Sequence, residues 1–544
     1  MIIDEWRKMM RIVSADDAVS LLRDGDTLMI GGSGGGHAVP EALLEAVERR
    51  FQQQGSPRRL TALHPVGLGD RGQRGASRLA HPGLLKRVVC GTLVDSPALA
   101  QLALANEIEA WTLPQGVLSQ LTREMAAGRP GLISHVGLHT FVDPRLGGGR
   151  QSERCQEELV SLIEIDGREW LHYKPFHVDV AFLRGTTADE DGNITMEQEA
   201  IFGDMLSMAQ ATKRCGGLVI VQVKRLARRG TLPAKNVKIP AMLVDLVVVD
   251  PQQAVTYQSP NDPAFTGEFR IPLNDFPLLP LDERKIVARR CAMELMPGAV
   301  CNVGSGICTG ICLVSAEEDV LDAIVLTNEQ GLIGGAPAAG LDAGAARNYS
   351  ALVDQPYQFD FYDGGGIDIA FLSAAEIDAG GSVNISRFAN KLIGVGGFIN
   401  ISQNAKKMVF GGTFTAGGLR VACAGGQLHI EQEGAHRKFV AALQQISYSG
   451  PYACQQGQTV LFVTERAVFR VVDGALELTE IAPGIDLERD VLQQMGFRPR
   501  IAAELKTMDA RLFLPQPMGL HQAMAAKTRA RHPRLAQLAP QAPL

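Results

Sequence analysis

Long apolar runs are missing from this 544-residue sequence. None approaches the roughly 18 residues that cross a bilayer, and the opening MIIDEWRKMM lacks the apolar stretch of a secretory signal. No membrane partner is therefore expected, and the cytoplasm is the expected compartment. A basic excess is also missing: 53 Lys and Arg stand against 59 Asp and Glu, for a formal charge of −6. Without a positive field the chain has no electrostatic footprint for nucleic acid, and no such partner is expected. Its nine cysteines are odd in number and include no CxxC pair, while Cys90 and Cys423 sit in apolar strand-like runs. They read as reduced core thiols. Cys308 and Cys312 share the spacing of one helix face, but no neighbouring His or Cys completes a zinc set, so no metal is expected. Nor does the glycine-rich stretch GGSGGGHAVP hold GxGxxG in register, because Ser33 and His37 fall where glycines would be needed.

What is present is the composition of an ordinary globular protein, 46% hydrophobic and 21% charged. Single cores stop growing at about 250 to 300 residues, so the length implies at least two domains. The irregular, Pro-rich stretch YQSPNDPAFTGEFRIPLNDFPLLP, from Tyr257 to Pro280, separates two segments that each alternate helical and strand patterns. The expected division is 1–275 and 276–529, followed by a basic, Pro-containing tail at 530–544 expected to be disordered.

The two segments echo each other. Ser14 caps a helix ended near Gly25, and DTLMI then leads into Gly31, Gly32 and Gly34. In the second segment the helix DERKIVARRCAMELM is ended by Pro297 and Gly298, and AVCNV leads into Gly304 and Gly306. Later, DVAFLRGTTADEDGNI (Asp179 to Ile194) parallels DIAFLSAAEIDAGGSVNI (Asp368 to Ile385) in the same order. The stretch from Gly25 to Asp179 is more than twice that from Gly298 to Asp368, so the first segment carries an insertion. With Val/Ile-rich strands such as GLVIV and DLVVVD, the reading is α/β: two related open, mainly parallel domains fused in one chain.

In open α/β sheets ligands gather at the carboxyl ends of strands. AIVLT in DAIVLTNEQG reads as a buried strand, which brings Glu329 out at its carboxyl end, partly shielded from water. Gly331, lacking a β-carbon, is expected to leave room for a substrate beside the carboxylate. From these residues alone Glu329 is a nucleophile, a general base, a metal ligand or a loop acid.

TNEQGLIGG together with the downstream GVGGFINIS resembles the family I coenzyme A transferases, which carry an E-x-G segment holding the active-site glutamate and a G-x-G-G-F segment. Here these are Glu329-Gln330-Gly331 and Gly394-Val395-Gly396-Gly397-Phe398, joined by LPQG at Leu113 to Gly116, YDGGGIDIAFL, and GSVNIS at Gly381 to Ser386. The similarity runs over nearly the whole chain and favours the single-chain members acting on short acyl groups, with the two segments matching fused subunits. It implies that Glu329 is the nucleophile that carries CoA as a thioester, with ping-pong transfer from a short-chain acyl-CoA to a carboxylic acid such as acetate. Oxyanion or acyl donors are then expected at the backbone of Gly396 and Gly397 and the amides of Asn384 and Gln115. Gly394, Gly331 and Lys224, the last in the basic run VKRLARR, are the expected CoA contacts. No cofactor is expected, CoA being substrate, and a homo-oligomer, dimer or tetramer, is implied. His37 has no role in this scheme and reads as loop structure. Two other readings accompany the transferase: an acyl-CoA hydrolase or carrier-protein acyltransferase, and a noncatalytic CoA-binding protein.

Overall fold

The structure, a computed structural model, describes residues 10–272, 276–527 and 534. The tail expected at 530–544 lies, apart from residue 534, outside the described residues, as does residue 275 at the expected division. No helix among the described residues is long and apolar enough to cross a membrane.

Between Arg11 and Val249 an eight-stranded sheet runs in the order Arg11–Val13, Leu246–Val249, Leu218–Val223, Val180–Arg184, Thr27–Ile30, Leu60–His64, Leu85–Cys90, Glu109–Thr112. Every neighbouring pair is parallel. The pattern of GLVIVQV explains its central place. Val219 and Val221 enter one core and Ile220 enters a second core on the opposite face, so successive side chains are buried on both sides. The second half forms a ten-stranded sheet around the parallel strands Val325–Thr327, Val300–Val303, Ile369–Leu372, Lys407–Gly411 and Thr459–Val463. Antiparallel pairs extend it on both sides, and the outermost pair on one side, Ala475–Ile481 with Arg500–Thr507, is parallel.

The echo in the sequence is an echo in hydrogen bonds. The Asp179 carboxylate accepts from the backbone of Thr27 at 2.8 Å, and that of Asp368 accepts from Val300 at 2.9 Å. Gly31 donates to the carbonyl of Phe182 at 2.9 Å, and Gly304 to that of Phe371 at 2.8 Å. A short antiparallel hairpin follows each of these strands. The insertion in the first half consists of further parallel strands, their helices, and a three-stranded antiparallel sheet built from Leu132–Ser134, Arg168–Tyr173 and Val160–Ile165.

The halves meet along the helix Gln115–Ala126, which packs on Gln355–Asp363 and Phe398–Asn404 of the second half. Gly116 is needed at this crossing: a β-carbon there would lie 2.4 Å from both Asn400 Nδ2 and the Phe359 ring. The Pro-rich stretch bridges the halves, Tyr257 donating to the Gly35 carbonyl at 2.7 Å and Ser259 to Asp342 at 2.8 Å.

Candidate active site

A cavity of about 500 Å³ opens where the carboxyl edges of the two sheets face each other. From the first half it is lined by Ser33 to Gly35 after Thr27–Ile30, Thr92 and Val94 after Leu85–Cys90, and Gln115 after Glu109–Thr112. From the second it receives Gly304 and Ser305, Asn328 to Gln330, and Leu372 to Ala375, each set following one of three adjacent parallel strands. The strand Val300–Val303 is a topological switch point, because the chain continues to Val325–Thr327 on one side and later to Ile369–Leu372 on the other. A crevice at such a point is where an open α/β sheet binds its ligand.

Glu329 stands in this crevice, two residues beyond the strand Val325–Thr327. Burial is the largest influence on its carboxyl and holds it above the ordinary value of 4.5. Bonds from its own backbone, Gln330 and Asn302 oppose the rise without cancelling it. Gln330 Nε2 lies 3.4 Å from Glu329 Oε1 and 3.4 Å from Ser33 Oγ, so its amide ties the carboxylate to the first half. Below, Tyr362 donates to Thr327 Oγ1 at 2.9 Å and receives the Asn302 amide at 3.3 Å. Sequence reasoning passed over Asn302 and Gln330. Asn302 could have been found from the strand repeat, as a polar residue near the carboxyl end of AVCNV.

The Gly394 to Gly397 loop is clamped from across the interface. Leu93 donates to the Ile393 carbonyl at 2.7 Å, Gly396 N–H donates to the Gly91 carbonyl at 2.8 Å, and Gln115 N–H donates to the Gly396 carbonyl at 2.8 Å. Gly394 N–H is likewise taken, by Ser386 at 3.1 Å. The donor expected at Gly396 is therefore spent on the fold. Gly397 N–H has no hydrogen-bond partner among the described residues, and a β-carbon on Gly397 would lie 3.4 Å from Glu329 Cγ. Of the two glycines, Gly397 alone has both a free donor and contact with the carboxylate side chain.

The other expected site residues separate. Gln115 lines the cavity, but its Nε2 donates to Gln355 Oε1 at 3.1 Å, which turns one N–H away from the site. Asn384 is buried and spent: its amide donates to Glu376 and to the Arg387 carbonyl, both at 2.8 Å, while its oxygen accepts from Ser386. It holds the turn and does not line the cavity. Gly331 does not provide room for substrate, because the space beside it belongs to the Val353 carbonyl, 2.0 Å from where a β-carbon would lie. At φ +104° it shapes the turn that carries Glu329. Lys224 lies off the cavity, and its neighbours in VKRLARR pair locally, Arg225 with Glu197 and Arg229 with Asp191. His37 is fully buried beside Gly344, and burial holds its imidazole down at about 4.

Comparison with known proteins identifies the family. Residues 12–250 match the family model "Coenzyme A transferase". The chain is 45% identical over 509 residues to acetate CoA-transferase YdiF of Escherichia coli K12, covering 93% of this chain and 96% of the relative. It is 44% identical to caffeate CoA-transferase of Acetobacterium woodii, covering 95% of this chain and all of the relative. Its structure superposes on the crystal structure of the acyl-CoA transferase YdiF from E. coli O157:H7, a thioester complex with CoA, with a TM-score of 0.89, covering 94% of this chain and 97% of that one. The chain belongs to the coenzyme A transferase family.

Proposed function

We propose that this enzyme transfers coenzyme A from a short-chain acyl-CoA to a carboxylic acid, acetate among them, through a covalent thioester on Glu329. The observation that carries the reading is that Glu329, its carboxyl raised by burial, and Gly397, whose N–H is unclaimed among the described residues, line the same crevice, with a β-carbon on Gly397 falling 3.4 Å from Glu329 Cγ. The naming of the E. coli relative as an acetate CoA-transferase, and its crystal form as a thioester complex with CoA, support the acceptor and the covalent step.

The steps balance without a proton. A Glu329 carboxylate oxygen attacks the thioester carbonyl of the donor and the C–S bond breaks, which gives an acyl-glutamyl anhydride and the CoA thiolate. The thiolate attacks Glu329 Cδ, the anhydride C–O bond breaks, and the donor acid leaves as its carboxylate. CoA is now a thioester of Glu329. The acceptor carboxylate attacks Cδ and expels the thiolate; attack of that thiolate on the acyl carbonyl gives the new acyl-CoA and frees Glu329. Each attack builds an oxyanion, for which Gly397 N–H is the backbone donor. Desolvation makes the carboxylate more basic and keeps water from the anhydride. Carboxylate and thiolate chemistry carries every step, so CoA enters as substrate and no further cofactor is called on.

Incubation with acyl-CoA and no acceptor should leave CoA attached to the peptide that contains Glu329, read by mass spectrometry. Glu329→Gln, near in shape but uncharged, should fold, bind acyl-CoA and lose transfer by several orders of magnitude. Double-reciprocal plots should be parallel when the acceptor is varied at several donor concentrations. CoA trapped on another residue, or intersecting lines, would remove the covalent reading.

A further inference from the structure

Gln115 is the cavity end of a buried chain of hydrogen bonds that leaves the catalytic crevice and crosses between the halves. Gln115 Nε2 donates to Gln355 Oε1 at 3.1 Å. Gln355 Nε2 donates to Ser119 Oγ at 2.6 Å and to Asp204 Oδ2 at 2.8 Å, and Ser119 Oγ donates to Asp204 Oδ1 at 2.5 Å. All four side chains are buried, Asp204 being the most exposed at 3%. Ser119 shares the helix Gln115–Ala126 with Gln115, and Asp204 immediately precedes the helix Met205–Arg214, whereas Gln355 reaches across from the second half.

The polarity of this chain is dictated at its far end. An ionised carboxylate only accepts, so Gln355 must turn its NH2 toward Asp204 and its carbonyl toward Gln115. Gln115 must then turn its NH2 toward Gln355. Its carbonyl oxygen is left on the Gly396 side, 3.6 Å from where a β-carbon on that glycine would lie. A carbonyl oxygen there repels a developing oxyanion. A proton on Asp204 Oδ2 reverses the two amide links while Ser119 goes on donating to Oδ1: the acid donates to the Gln355 carbonyl, the Gln355 NH2 donates to the Gln115 carbonyl, and the Gln115 NH2 faces the cavity. Two amides turn over about their terminal torsions, which are soft and broad, and no backbone need move.

We propose that Asp204 and Gln355 are positioning residues, a relay in which the proton on Asp204 turns the NH2 of Gln115 toward the reacting acyl oxygen. The proposal rests on the reading of the crevice given above. Burial is the largest influence on Asp204 and pushes its carboxyl up to about 7; Asp354 adds to the rise, while Ser119 and Arg123 oppose it. Asp204 makes no ion pair among the described residues, and the cations near it are engaged elsewhere, Arg123 with Asp360, Lys213 with Asp245 and Lys238 with Asp354. Arg214 is the remaining cation along the surface groove of about 630 Å³ that Asp204, Arg123, Lys213 and Asp354 line. That groove gives the Asp204 proton a route to water that avoids the catalytic crevice.

The test is the pH profile of kcat at saturating substrates, for the wild type, Asp204→Asn, Gln115→Leu and the double variant. Wild-type kcat should fall on the alkaline side as pH rises through about 7. Asp204→Asn cannot titrate and can hold its NH2 toward the Gln355 carbonyl, so the alkaline fall should vanish and kcat at about pH 8 should reach the wild-type value of about pH 6. Gln115→Leu should lose about a hundredfold in kcat with little change in KM, and should also lack the alkaline fall. In that background Asp204→Asn should have no further effect. An alkaline limb retained in Asp204→Asn, or effects that simply multiply in the double variant, would overturn the relay. Should Asp204→Asn fail to fold, the profile of Gln115→Leu decides alone: a limb that persists without Gln115 refutes the proposal. Mass detection of CoA on Glu329 in every variant separates the two readings. A normal adduct with multiplicative kinetics sinks only the relay, whereas a wild type without an adduct sinks the covalent mechanism itself.

Discussion

Replacing Gly397 tests whether close approach to Glu329 is what this loop supplies. The backbone of Gly397, at φ −79° and ψ −2°, is open to any residue, so a substitution here acts through its side chain. A β-carbon would stand 3.3 Å from Ile401 Cδ1, 3.4 Å from Glu329 Cγ and 3.5 Å from Phe359 Cζ, a tight but habitable space. Gly397→Ala should therefore fold and keep transfer within about tenfold of wild type, each neighbour giving by a few tenths of an ångström. Valine adds two methyl groups about 1.5 Å beyond the β-carbon. With three neighbours around that carbon and two of three staggered positions filled, at least one methyl group overlaps a neighbour. Phe359 is fully buried and Ile401 is 3% exposed, so the side chain free to yield is Glu329, which borders the open cavity. A displacement of about 1 Å at the nucleophile costs about a hundredfold, and crowding the Gly397 N–H adds part of the 10²–10³-fold that one oxyanion donor supplies. Gly397→Val should thus lose about 10²–10⁴-fold in transfer, with the CoA adduct on Glu329 forming correspondingly slowly. The assay is steady-state exchange alongside adduct formation and thermal unfolding. A valine variant with wild-type stability and wild-type turnover refutes the reasoning, and so does an alanine variant as impaired as the valine one.

Three further outcomes follow from groups already described. Because burial holds the Glu329 carboxyl above 4.5, kcat/KM for the donor should fall as pH drops through that raised value, and an acid limb at or below 4.5 would show that the carboxylate is not desolvated. Asp204 has a folded value of about 7 against 3.8 when free, so across that window the folded state binds more protons than the unfolded state and its contribution to stability declines as pH rises. Asp204→Asn removes this decline. Its stability relative to wild type should climb from about pH 4 to about pH 7 by up to about 4 kcal/mol and then level off, and denaturant melts of equal difference at all pH values would refute the assignment. His37 and His64, both held down at about 4, titrate in the opposite sense in both proteins and cancel in that difference. Gly331→Ala would put a β-carbon 2.0 Å from the Val353 carbonyl at φ +104°, and should lower stability by more than about 2 kcal/mol. An alanine variant that melts with the wild type would return Gly331 to the role of open space beside the carboxylate.

The sheets were legible because they depend on local pattern. Runs such as GLVIV and DLVVVD fill both faces of a parallel sheet with β-branched side chains, and the paired DVAFL and DIAFL segments mark the strands whose leading aspartates, Asp179 and Asp368, brace the neighbouring strand in each half. Glu329 was legible for the same reason, since a carboxylate just past an apolar strand emerges at its carboxyl end. The relay was not. Gln355 stands 240 residues from Gln115 and 151 from Asp204, and no local pattern distinguishes an amide that links two halves from one that caps a turn, as Asn384 does. The run around Lys224 shows the opposite limit, since a basic run announces charge but not the acids that the fold sets beside its arginines, Glu197 by Arg225 and Asp191 by Arg229.

The glycines divide along one physical line. Each says that something approaches too closely for a β-carbon, yet the sequence does not say whether that thing is a ligand or the protein itself. At Gly35 it is the Leu341 carbonyl, at Gly116 the Phe359 ring, at Gly331 the Val353 carbonyl and at Gly394 the Gly91 carbonyl. Those four glycines let the halves, or the two limbs of a turn, come together, and their contribution to the crevice is indirect. Gly397 differs in kind. Its neighbours are side chains, 3.3 to 3.5 Å from where a β-carbon would stand, its φ is unremarkable for any residue, and its N–H is unclaimed within the described residues. No backbone atom stands where a β-carbon would go. The room that a larger side chain would take is the room beside Glu329, where an acyl carbonyl needs both the carboxylate and a backbone donor within reach.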